Sequence, residues 1–139
     1  MSAIFWAKPP TSPPPLLVLP GEPQSAKRAR TFVRGELCKV PSMPGGHIED
    51  VELVVSELVG NAVRYGTEPD DFLAVSVVDT GSGTRVEVRD PVRRHPRHRP
   101  ASTERQRGRG LFILDAPCPG RWGAYDTPFG KAVWAEVAR

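Results

Sequence analysis

Cysteine is nearly absent from this chain. Cys38 and Cys118 are the only two, too few and too far apart for a disulfide framework or a zinc site, and both read as incidental buried thiols. Long apolar runs are missing as well: none approaches the roughly 18 residues that a membrane span needs. The first residues do not show the charged-then-apolar order of a secretory signal, so a cytoplasmic location is expected. No internal repeat is visible. With 139 residues the chain fits one domain, long enough to bury a core without disulfides.

Proline, in contrast, is abundant. Sixteen prolines are more than twice the usual share of about 5%. Many fall in residues 1–15, which lack usable periodicity and read as a flexible N-terminal arm, with residues 16–139 forming the domain. Ile4, Phe5 and Trp6 in that arm could hook onto a neighbouring subunit, although an unstructured end is the commoner case. Charge is also concentrated. Arg93, Arg94, Arg97, Arg99, Arg105, Arg107 and Arg109 face only Glu104 in their segment, which is therefore +6, leaving −3 for the rest of a chain whose net charge is +3. Such a patch attracts phosphates, acidic protein surfaces or nucleic acid, and charge alone does not choose among them.

The pattern of residues predicts an α/β fold. Leu16 to Leu19, closed by Pro20-Gly21, reads as an edge strand. A helix follows, with Pro23 suited to its first turn. Ala26, Ala29, Phe32, Val33 and Leu37 line one side, while Lys27, Arg28, Arg30 and Arg34 face out. Val40 to Gly46 reads as a loop. Phe72 to Val78 is expected as a buried strand, Asp79 to Gly83 as a turn, and Thr84 to Asp90 as a half-buried alternating strand. Residues 91–107, rich in proline and arginine, are expected to form a long loop of the kind that is usually functional or disordered. Gly108-Arg109-Gly110 opens a short helix, Leu111 to Ala116. Strands near Arg121–Tyr125 and Lys131–Val137, joined by a turn at Thr127–Gly130, complete the chain. Hairpin-paired strands with helices on one face make a two-layer α/β sandwich with a mostly antiparallel, mixed sheet.

The stretch that organises the rest is Val51 to Tyr65. Val51, Val54, Val55, Leu58, Ala62 and Tyr65 recur at helical spacing and predict a buried helix. Glu57 and Asn61, four apart, stack a carboxylate and a carboxamide one turn from each other beside that stripe. Such groups cost free energy near a core unless something pairs with them, so together they point to catalysis or ligand binding. For each alone, a helix-surface Glu or a backbone-bonded Asn is the plain alternative.

Ser56-Glu57-Leu58-Val59-Gly60-Asn61-Ala62-Val63-Arg64-Tyr65 resembles the N-box of the GHKL ATPase superfamily, in the branch of bacterial anti-sigma regulatory factors that are serine/threonine kinases. The order of elements from about Leu16 onward follows that branch. The resemblance implies a Bergerat-type sandwich binding ATP and Mg²⁺, with Asn61 as the metal ligand and Glu57 as the base toward a serine hydroxyl of an antagonist-type partner. A sigma factor would be the regulated protein, and a homodimer is compatible with it. Gly108-Arg109-Gly110-Leu111 matches the second glycine motif, whose N–H groups meet phosphates. Asp90 matches the aspartate that accepts from the adenine amino group, and the arginine-rich loop, Arg94 included, would be the lid.

Two places depart from the superfamily pattern. Asp90 is followed by Pro-Val-Arg-Arg94 where Asp-x-Gly-x-Gly is usual, which leaves a degenerate protein-binding module as the alternative. Gly130-Lys131-Ala132-Val133-Trp134 lacks the customary threonine, whose hydroxyl neither Lys131 nor Ala132 replaces. Trp122 and Trp134 read as core or interface aromatics. His95 and His98 lack the further ligands a metal site needs. Nucleic-acid binding by the arginines is disfavoured because no interleaved aromatics or DNA-reading helix accompanies them. A sensor kinase is disfavoured because no phospho-accepting histidine helix is seen.

Overall fold

A computed structural model describes residues 14–91 and 121–139. Strand β1 (Leu16–Pro20) leads to helix α1 (Ser25–Leu37) and helix α2 (Gly45–Tyr65), then to strands β2 (Phe72–Asp79), β3 (Gly83–Asp90), β4 (Trp122–Thr127) and β5 (Gly130–Ala138). The sheet order is β1-β2-β3-β5-β4, and every pairing among the described residues is antiparallel. This is the two-layer α/β sandwich expected from the sequence, with β1 at one edge. Most of the arm, the arginine-rich loop beyond Pro91, the short helix at Leu111–Ala116 and Cys118 lie outside the described residues.

Register puts one apolar face together. Val75 pairs with Val88, Val77 with Val86, and Val86 with Ala135, so their side chains share the side of the sheet that the helices cover. Against them pack Val51, Val54, Val55, Leu58, Val59 and Ala62 of α2, with Ala29, Val33 and Leu37 of α1 beside them. Each wholly buried side chain of this size contributes roughly 1.5–3 kcal/mol relative to exposure, which anchors α2 along its length.

Several expectations change. Phe72 and Val78 of β2 are exposed while Leu73, Val75 and Val77 are buried, because the helices cover only one face of the sheet. The second helix begins at Gly45 rather than after Gly46; burial of His47 and Ile48 offsets the roughly 1 kcal/mol that each helical glycine costs. Pro23 lies ahead of Ser25, the first residue of α1, rather than in its first turn. Arg30 is half-buried rather than facing out, and Arg34, exposed as expected, also reaches across to α2. Arg30 Nη1 donates to Ser56 Oγ at 3.0 Å, and Arg34 Nη2 meets Glu52 Oε1 at 2.5 Å. Cys38 is exposed, since it caps α1 one residue past Leu37, the last buried position of that helix.

Trp122 packs against the core, whereas Trp134 lies on the opposite face with the Arg85 guanidinium 4.4 Å from its ring centre. That outer face carries a charged lattice. Tyr125 Oη donates to Glu87 Oε1 at 2.5 Å, Arg89 Nε donates to Glu87 Oε2 at 3.1 Å, and Glu136 accepts from Arg85 and Arg121 at 3.2 and 3.3 Å. The Glu87 hydrogen bond, with burial second, raises the Tyr125 phenol above its ordinary value.

Candidate functional site

Glu57 and Asn61 lie on α2 at the border of its buried face, each half-buried and each followed by a buried residue, Leu58 and Ala62. A helical rise of about 1.5 Å per residue separates them by about 6 Å along the axis. The Asn61 Nδ2 atom is fully buried and has no hydrogen-bond partner among the described residues. An amide left this way costs free energy that a hydrogen-bonding group placed beside it would offset. The two ends of a carboxamide exchange by a half-turn of the side chain. The same site can therefore offer a donor to a phosphate or an oxygen to a hard cation such as Mg²⁺, which usually takes only one or two protein oxygens.

Asp90 reaches the same end of α2 from the sheet. It is the last residue of β3, and its side chain is only 1% exposed. Its carboxylate lies against Gly66, the residue capping α2, where an added β-carbon would stand 2.6 Å from the carboxyl carbon and 3.0 Å from the Ala62 carbonyl oxygen. Gly130 makes the other wall, since a β-carbon there would overlap the Asp90 carbonyl. Glycine at 66 admits the carboxylate, and glycine at 130 admits the Asp90 backbone.

Directly across the sheet, Asp90 pairs with Lys131 of β5, whose ammonium lies 3.9 Å from Asp90 Oδ2. Along the helix, Glu57, Asn61 and Gly66 therefore run in order toward Asp90, spanning about 13 Å. Sequence reasoning named Glu57, Asn61 and Asp90 but not the Lys131 contact, because it did not predict which strand lies beside β3. Arg94, Gly108, Arg109, Gly110 and Leu111 lie outside the described residues. No group of three or more His, Cys, Asp and Glu side chains that could hold a metal occurs among the described residues, and no helix there is long and apolar enough to cross a membrane.

The family model for the histidine kinase-like ATPase domain matches residues 19–116. The chain belongs to this family, within the GHKL superfamily. The matched span contains Glu57, Asn61, Asp90 and the Gly108–Leu111 stretch, and it stops short of β4 and β5. Membership supports an ATP-binding function for the domain, of a kind that typically uses Mg²⁺. No curated protein matches the chain.

Proposed function

We propose that this histidine kinase-like ATPase domain is an ATP-dependent regulator of the anti-sigma factor kinase type. It would bind Mg-ATP, phosphorylate a serine of an antagonist-type partner, and control a sigma factor according to the partner's state. The observation that carries the reading is the Glu57 and Asn61 pair, one helical turn apart, with the Asn61 Nδ2 buried and without a hydrogen-bond partner among the described residues.

In this scheme the Asn61 oxygen holds the cation. Bound Mg²⁺ supplies neutralisation of charge on the phosphate oxygens. Glu57 accepts the proton as the serine oxygen bonds to the terminal phosphorus and the bond to the leaving phosphate oxygen breaks, a role typically contributing about 10² to 10⁴-fold. Asp90 accepts from the exocyclic amine of the base. The Gly108-Arg109-Gly110-Leu111 stretch contributes backbone N–H groups to the phosphates, and Arg94 and Arg109 add positive charge.

Calorimetric titration of ATP with and without Mg²⁺, on the wild type and Asn61→Ala, tests the reading. Metal-dependent binding that weakens tenfold or more in the variant is the expected result. A folded wild type that binds no ATP would overturn it and favour the second reading, a protein-binding module of the same fold. That alternative draws on the Pro-Val-Arg-Arg94 sequence after Asp90 in place of glycines.

A further inference from the structure

The Asp90 and Lys131 pair carries a function of its own. Asp90 sits where a bare carboxylate is least welcome, beside the last turn of α2, where carbonyl groups give a helix its partial negative charge. It is also almost fully buried, and a buried carboxylate needs a compensating cation. Lys131 is that cation. Strand register makes it the direct cross-strand neighbour of Asp90, with Asp126 of β4 its neighbour on the other side, and its own side chain is 16% exposed.

At 3.9 Å the contact is electrostatic, longer than a hydrogen bond. An ammonium has three donors, and a carboxylate about four acceptor positions. The pair thus brings an acceptor and a donor within 3.9 Å of each other, with the Asp90 carboxylate against Gly66. The edge of adenine has the complementary order, an exocyclic N–H donor next to the ring nitrogen N1, an acceptor.

We propose that Lys131 is a base-reading residue, donating a hydrogen bond to N1 of adenine while Asp90 accepts from the neighbouring exocyclic amine. This rests on the nucleotide-site reading above and deepens it. Lys131 lies beyond residues 19–116, in the part of the chain that the family match does not reach. The ammonium thus does two things at one atom, neutralising Asp90 and adding a second point of recognition.

The test compares ATP with 1-deaza-ATP, which has a C–H in place of N1, by calorimetry on the wild type, Lys131→Met, Lys131→Thr and Asn61→Ala, with circular dichroism to establish folding. The wild type should bind ATP about tenfold or more tightly than the deaza analogue, as expected for a charge-assisted hydrogen bond. Lys131→Met should bind the two alike, and Lys131→Thr, which restores a donor, should recover part of the difference. Asn61→Ala should weaken both nucleotides and keep their ratio. Equal binding of the two by the wild type, a comparison that needs no variant, would overturn the assignment. So would an undiminished ratio in Lys131→Met, leaving the nucleotide site itself intact. A folded wild type that binds neither nucleotide would overturn the nucleotide-site reading and this assignment with it.

Discussion

His47 Nε2 lies 2.8 Å from Thr84 Oγ1, joining the first turn of α2 to β3 inside the core. The imidazole is 6% exposed, and its Nδ1 is buried as well. Burial lowers its pKa below 6.5, and Arg139 adds to this, while the Ala138 backbone, Asp50 and Asp79 oppose it.

That depression fixes the direction of a pH effect. Above about pH 6.5 the ring is neutral in both folded and unfolded chains, and its contribution to stability is fully present. As pH falls through 6.5 the unfolded chain takes up a proton that the folded one resists, so stability declines until the lower folded pKa is reached. Urea unfolding at pH 7.5 and 5.5 should show a fall in midpoint for the wild type that is smaller in His47→Gln.

Gly66→Ala should destabilise by about 1–3 kcal/mol, the usual cost of forcing atoms into a packed site. The backbone there, at φ −116°, suits alanine, so the penalty comes from the Asp90 carboxylate. Combining Gly66→Ala with Asp90→Ala should therefore cost less than the sum of the two, measured as a double-mutant cycle of urea unfolding. Additive effects would separate the two residues energetically.

Leu58→Ala should cost about 2–5 kcal/mol. Leu58 is 1% exposed and lies between Glu57 and Asn61 in sequence, fixing the helix that carries both. The urea midpoint should fall with little change in slope if the loss is one of packing alone.

Glu57→Ala should leave Mg-ATP affinity within about threefold of the wild type, because Glu57 acts on the attacking hydroxyl, while lowering phosphoryl transfer by about 10²-fold or more. Asn61→Ala should instead lose affinity first. Paired titrations and transfer of labelled phosphate to the acceptor protein separate the two roles. Undiminished transfer by Glu57→Ala would remove it from the chemistry.

Much of this architecture was legible in the residues. The apolar stripe of α2 was plain because Val51, Val54, Val55, Leu58 and Ala62 keep helical spacing, and the Thr84–Asp90 alternation marked a strand with one wet face. Less legible were features set by which elements meet. Phe72 to Val78 reads as a continuous apolar run, and only the absence of a layer over the outer face in the described structure makes Phe72 and Val78 exposed. Arg30 and Arg34 have the periodicity of a solvent face, yet α2 packs close enough to receive them. Lys131 was visible as a departure from a motif. Its meaning came from register, since a residue's cross-strand neighbour is not encoded in its own segment.

The Asp90–Lys131 register also sets how weakly the pairing depends on the length of chain between its strands. The two residues meet through a direct ladder between β3 and β5, although forty residues of chain intervene, including all of 92–120. Closing a longer connection is cheap, about 0.6 kcal/mol for each doubling of length. The pairing is thus fixed by the β3–β5 ladder rather than by the length of the connection. A longer connection between Pro91 and Arg121 that keeps Arg94 and Gly108–Leu111 should therefore leave Asp90 and Lys131 side by side.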